Sequence, residues 1–298
     1  MHAKPYVGRF APTPSGHLHF GSLLAALASF LDARHHGGHW LVRIEDLDQP
    51  RNLPGAIEHI LGTLETYGLE WDGDILHQSA NLERYESILQ KLLEQGDAYF
   101  CDCPRKLIME HGGVYPGHCR TRQLTASPSH AIRVRVPEQP ITLKDRLQGE
   151  FSQDLSTEVG DFVVRRRDGI IAYQLAVVVD DIAQGITDIV RGADLLDSTP
   201  RQLWLYRLLR ASPPRYLHIP LIMREDGEKL SKRLASAPIE ATQAPTTLFR
   251  ALTALAQQPP SALRDAPVRE QLAWAIANWQ PQRLPAVLQI MESTLPQG

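Results

Sequence analysis

Between an apolar run, Tyr6 to Ala11, and a run of helix formers, Leu23 to Ala33, the chain reads Pro-Thr-Pro-Ser-Gly-His-Leu-His-Phe-Gly-Ser (Pro12 to Ser22). This order of strand, tight loop and helix start constrains the fold more than any other stretch. A helix that begins in such a loop leaves its first backbone N–H groups unbonded, and its positive end faces whatever fills the loop. Two imidazoles, His17 and His19, stand in the same turn. Phosphate is the occupant such a site favours. The stretch lacks the Gly-Lys-Ser/Thr ending of a P-loop and the Gly-x-Gly-x-x-Gly of a dinucleotide fold.

The flanking pattern extends the α/β reading. A first helix is expected over Gly21 to His35, with Leu23, Leu24, Leu27, Phe30 and Leu31 on its apolar face and Gly37-Gly38 as its stop. A strand, Trp40 to Ile44, ends in Glu45-Asp46-Leu47-Asp48, and acids just past a strand's carboxyl end lie where open α/β sheets bind ligands. Pro54 opens a second helix through Tyr67; Ser79 caps a third, with Tyr85, Ile88, Leu89, Leu92 and Leu93 inward and Gly96 at its close. Alternation of this kind predicts a Rossmann-type, doubly wound parallel sheet.

After Ala98 the character changes. Loop-like sequence with three cysteines, Cys101, Cys103 and Cys119, precedes an alternating strand, Ala131 to Val136. Asp161 to Arg167, Asp168-Gly169 and Ile170 to Val179 read as a hairpin, ending in a buried-strand run at Val177 to Val179 and then Asp180-Asp181. An antiparallel insertion into the parallel domain is expected. Ser198 or Thr199 then caps a helix with Pro200 in its first turn, and the tail holds helical runs at Thr246 to Ala256, Val268 to Asn278 and Leu284 to Met291. The organisation expected is a catalytic nucleotide-binding domain in two halves (1–97 and 172–236), an inserted subdomain (98–171) and a small helical C-terminal appendage (237–298).

Composition narrows the class of protein. At 298 residues there is room for about two domains. No run approaches the roughly 18 apolar residues of a membrane span, and the N-terminus lacks the apolar core of a secretory signal, so a cytoplasmic setting without membrane contact is expected. The net charge is −3, yet residues 101–167 carry 11 Lys/Arg against 8 Asp/Glu, and residues 201–236 carry 8 against 3. A polyanion could bind along those basic segments although the whole molecule is negative.

In a cytosolic chain, thiols gathered in one loop serve as metal ligands more often than as disulfides. Cys101, Cys103 and Cys119 supply three ligands of a tetrahedral zinc site, and Tyr115, His111 and His118 are the candidates for the fourth. Such an ion would be structural, pinning a loop too polar to hold itself by packing. Elsewhere, Arg9 and Arg191 are guanidinium forks suited to a carboxylate, Glu45 could accept an ammonium group, and Tyr173 offers a hydroxyl from a strand position beside them.

His19-Phe20-Gly21-Ser22 and Lys229-Leu230-Ser231-Lys232-Arg233, in this order, resemble the two ATP-binding motifs of class I aminoacyl-tRNA synthetases. With Arg9 to Gly16, Arg43 to Asp48 and Val190 to Leu196, the match is to the glutamyl branch and spans residues 9–233. Because the chain stops short of a large anticodon-binding region, it is most similar to the truncated subfamily, the glutamyl-Q tRNA(Asp) synthetases. The resemblance implies ATP-dependent activation of L-glutamate and transfer to the queuosine base of tRNA(Asp), with Mg2+ arriving on ATP. It implies that Pro12, Thr13, Ser15, Gly16, His19, Gly21, Ser22, Ser231 and Lys232 bind ATP, and that Arg9, Ala11, Thr13, Glu45, Tyr173 and Arg191 hold glutamate. His17, His19, Lys229 and Lys232 would neutralise charge at the phosphates. The subfamily's metal pattern favours Tyr115 as the fourth ligand beside the cysteines. Ser22 stands where the first motif ends in histidine, and Arg233 where the second ends in serine. No stable protein partner is implied. A small-molecule nucleotidylyltransferase, or a non-catalytic synthetase-like RNA-binding protein, are the other readings of the same loop.

Overall fold

The computed structural model describes residues 5–224 and 243–294. Strand β1 (Val7–Phe10) runs into the Pro-rich loop and helix α1 (Phe20–His35); β2 (His39–Ile44), α2 (Ala56–Thr66), β3 (Leu76–His77) and α3 (Leu82–Glu94) follow. Next come β4 (Ala98–Cys101), α4 (Arg105–Glu110), β5 (Ala131–Val134), β6 (Ile141–Asp145), β7 (Gly149–Gln153), α5 (Leu155–Glu158) and β8 (Phe162–Arg165). The chain continues through α6 (Tyr173–Ala183), β9 (Asp188–Gly192), α7 (Thr199–Leu208), β10 (Arg215–Ile219) and β11 (Leu221–Met223), and ends in α8 (Ala244–Ala254), α9 (Val268–Asn278) and β12 (Gln289–Met291).

Strands β1, β2 and β3 form one parallel sheet, and β9, β10 and β6 another, with β7 antiparallel at its edge. Thr187 N donates to the Val7 carbonyl (2.9 Å), which ties the two sheets side by side. Successive strand residues point to opposite faces, and the packing follows. Phe10, Trp40, Val42, Ile44, Val190, Leu217 and Ile219 join α1, α8 and α9 in one apolar cluster. Ile189 and Tyr216 join α3, α6 and α7 in the other. The alternation therefore aims Arg9, Arg43, Glu45, Arg191 and His218 at the α6 face. The parallel, doubly wound sheet is present as expected, and among the described residues no helix is long and apolar enough to cross a membrane.

Four elements differ from the sequence reading. Val177 to Val179 are not a strand but the middle of α6, in which every residue from Leu175 to Asp181 is buried. A short apolar run buried on all sides has no period that separates strand from helix. Tyr173 consequently opens a helix instead of sitting on a strand, and the Asp168-Gly169 turn closes only the single bridge Arg165 to Ile171. Ala131 to Val134 are buried on both faces, because Ile132 and Val134 pack into the core around α3 and α6 while Arg133, on the other face, lies against Tyr115 and Cys101. The inserted segment is also not one block: β6 and β7 extend the parallel sheet beyond β10.

The tail differs as well. Leu284 to Met291 are not helical; β12 pairs in parallel with β11. Leu248, Leu252 and Leu272 lie in the same core as α1, so the expected appendage instead covers the outer side of that helix. Ser79 caps nothing: its N–H and hydroxyl both donate to Asp46 (2.8 and 2.6 Å), and Asn81 stands at the start of α3.

Candidate functional site

The Pro-rich loop is stitched to the segment after β2. The Pro12 carbonyl accepts from Glu45 N and the Pro14 carbonyl from Leu53 N, both at 2.9 Å. This places Ala11 to Gly16 beside Glu45, and it leaves Thr13 and Ser15 on the surface. His19 caps α1: its Nδ1 accepts from Ser22 N at 3.2 Å, and its ring lies 2.9 Å from the Ser22 hydroxyl. Burial lowers the pKa of His19, so the ring is neutral and able to accept that bond.

His19, Gly21 and Ser22 line a cavity of about 200 Å³ with Gly192, Asp194 and the run Ile219 to Ile222. A Cβ at Gly192 would stand 2.6 Å from Asp194 Oδ1, so any larger residue there would have to displace the Asp194 side chain. Pro12, Thr13, Ser15 and Gly16 shape the loop without lining this cavity. His17 turns away and stacks on His59 of α2, with ring centres 4.0 Å apart. Lys229, Ser231 and Lys232 lie outside the described residues.

On the α6 face the guanidiniums and acids form one buried group. Arg9 donates from Nε and Nη2 to Asp181 (3.2 and 3.5 Å). Arg43 donates to the same Asp181 (2.7 Å) and to Gln184 (2.8 Å). Asp180, the neighbour of Asp181, takes hydrogen bonds from Tyr85 and Gln78 (2.8 Å each). Glu45 is 3.8 Å from Arg43, and its buried Oε1 has no hydrogen-bond partner among the described residues. Burial pushes its carboxyl up to about 7, although Arg43 and Arg9 pull the other way. A buried carboxylate oxygen without a donor is uncommon, and this one is suited to a cation that comes and goes.

Arg191 completes the group. Its Nη1 reaches the Tyr173 hydroxyl (3.5 Å), and Nη2 donates to Thr199 and Gln202 (2.8 and 2.9 Å). Nε donates to His218 Nε2 (3.0 Å), while His218 Nδ1 lies 2.7 Å from Asp145. The two contacts settle the tautomer: Nδ1–H donates to Asp145 and Nε2 accepts from Arg191. Burial lowers the pKa of His218 against the pull of Asp145, so the ring stays neutral. Arg191 and His218 are partners in register on β9 and β10, and Asp145 ends the next strand, β6.

Arg9, Glu45, Tyr173 and Arg191 are thus brought together. Their supports, Arg43, Asp181, His218, Asp145, Thr199 and Gln202, were not among the expected site residues. In the sequence Arg43 opens one of the family motifs, the Asp180-Asp181 pair closes an apolar run and Thr199 is a candidate helix cap, none of them with a role in the site.

The thiols form a second cluster. The Sγ atoms of Cys101, Cys103 and Cys119 all lie within 4.8 Å of one another. The Tyr115 hydroxyl is 3.4 Å from Cys101 Sγ and 3.6 Å from Cys103 Sγ, and it accepts from Cys119 N (2.9 Å). Burial pushes the Cys101 thiol up, but its contacts with Tyr115 and Arg133 more than offset this and hold it below the ordinary thiol range. Tyr115 is fixed by Gly160, where φ is +72° and a Cβ would fall 2.5 Å from the Tyr115 carbonyl oxygen. His111 and His118 pack edge-on against each other (ring centres 6.0 Å apart), and His111 bonds the Leu107 carbonyl. Three thiols so placed could hold a metal ion.

Residues 6–253 match the family model of tRNA synthetases class I (E and Q), catalytic domain. A protein of Ectopseudomonas mendocina named glutamyl-Q tRNA(Asp) synthetase is 58% identical over 292 residues, covering 97% of this chain and 98% of that one. A protein of the same name from Pseudomonas aeruginosa is 57% identical over 290 residues, covering 97% and 99%. Among solved structures, a glutamate tRNA ligase of Elizabethkingia meningosepticum in complex with its amino acid superposes with a TM-score of 0.80 at 23% identity. That match takes in 95% of this chain and 66% of the ligase, and it speaks for the fold.

Proposed function

Because this chain belongs to the class I tRNA synthetases of the E and Q type, and within them to the glutamyl-Q tRNA(Asp) synthetases, we propose that it activates L-glutamate with ATP and transfers the glutamyl group to the queuosine base of tRNA(Asp). The observation that carries the reading is the buried Glu45 Oε1, which accepts no hydrogen bond among the described residues although it lies 3.8 Å from the Arg43 guanidinium and in the field of Arg9. One acceptor for an ammonium and two guanidiniums for carboxylates, next to a cavity at a helix start, suit a dicarboxylic amino acid lying against ATP.

In the first step the glutamate α-carboxylate attacks the α-phosphorus of ATP in line. The bond to the β-phosphate breaks, and pyrophosphate departs. Positioning and charge neutralisation do most of this work. Arg191, Arg9, Glu45 and Tyr173 orient the amino acid; Ala11 and Thr13 border it. His19, Gly21 and Ser22 face the nucleotide, with Lys229, Ser231 and Lys232 assigned to the phosphates by their motif. Magnesium enters bound to ATP. In the second step a hydroxyl of queuosine attacks the acyl carbonyl, and AMP leaves. Residues 1–97 and 172–236 carry this chemistry in the proposal, and a cytoplasmic setting is part of it.

Zinc fits the thiol cluster. Zinc–sulfur bonds of about 2.3 Å need sulfurs gathered as closely as these, with a fourth donor above them, and the Tyr115 hydroxyl lies near that corner. Cys101, Cys103, Cys119 and Tyr115 would hold the ion, which would pin the inserted loop without taking part in the reaction.

Charging assays with tRNA(Asp) bearing or lacking queuosine test the reading. Glutamate should be incorporated only into the modified RNA; equal charging of both would sink the base assignment. The ionisation of Glu45 supplies a second check. Only the carboxylate pairs with an ammonium, and the free site titrates near pH 7. The glutamate KM should therefore fall as pH rises from 6 to 8, and Glu45→Gln should raise it and flatten that dependence. A wild-type KM constant across this range would remove Glu45 from the ammonium site. The same raised pKa works against folding: the proton the native state retains favours it most at acid pH, and that contribution is lost as pH rises toward 7.

A further inference from the structure

Arg133 is a buried cation without a carboxylate. Its side chain, on the middle strand β5, is 5% exposed, and among the described residues no acid lies within ion-pairing distance of it. Its Nη1 donates to the Asp161 carbonyl (2.7 Å), but the Asp161 carboxylate is taken by Tyr99 (2.5 Å), the Val136 N–H (2.8 Å) and Arg120 (3.4 Å). A guanidinium withdrawn from water needs a countercharge close by. What stands beside Arg133 is the thiol cluster. Nε donates to Cys101 Sγ at 3.3 Å, and the guanidinium carbon lies 3.9 Å from the centre of the Tyr115 ring. Sheet register makes this contact: Tyr99 pairs with Arg133 across β4 and β5, and Cys101, two residues along, shares the face of Tyr99. Arg122 offers the contrast. It also reaches a cluster sulfur, Cys119 Sγ at 3.6 Å, but the same Nη1 is 2.8 Å from Asp102, and the side chain is about half exposed. That carboxylate and water answer its charge.

We infer that Arg133 is the counter-ion and positioning residue of the metal site, required for tight zinc binding, and that Arg122 is not; the inference rests on the zinc reading above. Three thiolates and a phenolate outweigh the double charge of zinc, so the loaded site is a buried anion. Arg133 meets that anion twice. Its Nε–H holds Cys101 Sγ within the cluster, and its flat face covers the Tyr115 ring, which attracts a cation more strongly once it carries negative charge. The bond from Nη1 to a backbone carbonyl keeps the fork from swinging out to solvent. Groups that orient metal ligands in this way typically contribute about 10–100-fold to metal affinity.

Zinc affinity is to be measured by competition with the chelator pyridylazoresorcinol, in the full-length protein and in Arg133→Met, Arg133→Lys and Arg122→Met. Arg133→Met should bind zinc about 30-fold more weakly, and Arg122→Met should stay within about threefold of wild type. Lysine restores the charge but neither the Nε contact nor the flat face, so Arg133→Lys should recover part of the loss. Two further readouts would not move if Arg133 were merely structural. With cobalt in the site, the sulfur-to-metal charge-transfer band should shift to longer wavelength in Arg133→Met, because a sulfur deprived of its N–H donor gives up electrons more readily. The rise in Tm that zinc gives the stripped protein should shrink by about 5 °C in Arg133→Met, whereas a purely structural residue would lower both temperatures alike. Should Arg133→Met not fold, Arg133→Lys decides, and its affinity must still fall at least about threefold. Zinc affinity unchanged in the Arg133 variants overturns the inference, as does an equal loss in Arg122→Met or a cobalt band that stays in place. A wild-type chain that takes up no zinc would sink the metal reading itself, and the inference with it.

Discussion

Arg191→Leu is expected to raise the glutamate KM about 100-fold while the ATP KM moves by less than threefold. Arg191 is buried with Nε on His218 and Nη2 on Thr199 and Gln202. That scaffold leaves Nη1 on the side of the Tyr173 hydroxyl, 3.5 Å away, and Tyr173 in turn lies in the field of Glu45 and Arg9. A hydrogen bond to a charged group is worth about 1.5–3 kcal/mol, which brackets a loss of this size. Leucine also leaves His218 Nε2, Gln202 and Thr199 without their donor, so some stability should be lost with it. Arg191→Lys separates the two effects: it keeps the charge but not the fork, and its KM should fall between those of wild type and the leucine variant. An unaltered glutamate KM in Arg191→Leu would remove this residue from the pocket. His218 and Asp145 act at one remove. His218 holds Nε and Asp145 holds His218, which sets the plane of the guanidinium, and neither belongs to the proposed glutamate contacts.

Asp32→Ala should unfold at a temperature lower by about 10 °C. The carboxylate is completely buried in α1 and takes four donors from distant parts of the chain: Tyr6 (2.5 Å), both terminal nitrogens of Arg146 (2.6 and 3.0 Å) and Trp279 (3.0 Å). Burial raises its pKa, but the Arg146 ion pair and the other donors outweigh that and bring it below the usual carboxylate range. Removing one member of a buried pair costs about 3–5 kcal/mol, because the other charge is left without compensation. In a chain of this size 1 kcal/mol corresponds to roughly 2–4 °C. A depressed carboxylate pKa stabilises above the unfolded value near 4, and that contribution is lost as pH falls through the native one. The wild type should accordingly lose stability in acid faster than Asp32→Asn, which keeps the shape and gives up the charge. A Tm for Asp32→Ala within 2 °C of wild type would contradict this account.

The parts of this protein written in local sequence are those whose physics is local. A strand, a Gly- and Pro-rich turn and a helix start suffice to place His19 as the cap of α1, because capping involves residues three positions apart. The alternation in Trp40 to Ile44 assigns its two faces, and so aims Arg43 away from the core around α1. Arg9, Glu45 and Arg191 could be named in advance as candidates through their motifs, Tyr173 only through what the resemblance implies, and the clustered cysteines through their spacing. Where burial is total, the pattern vanishes. Val177 to Val179 read as a strand because β-branched residues favour one, yet α6 lies between the sheet and its neighbours, and packing overrides propensity. The Leu284 to Met291 run read as helical because nothing near it announces that β11, some 65 residues earlier, is its partner. Asp145, His218 and Arg191 come from three strands set side by side only by the sheet. Asp32, Arg146 and Trp279 likewise meet across nearly the whole chain length. Chain order and residue type determined which chemistry was on offer. Tertiary structure alone decided which charges are neutralised and which stay open to substrate, because that depends on partners remote in sequence and on the water their packing excludes.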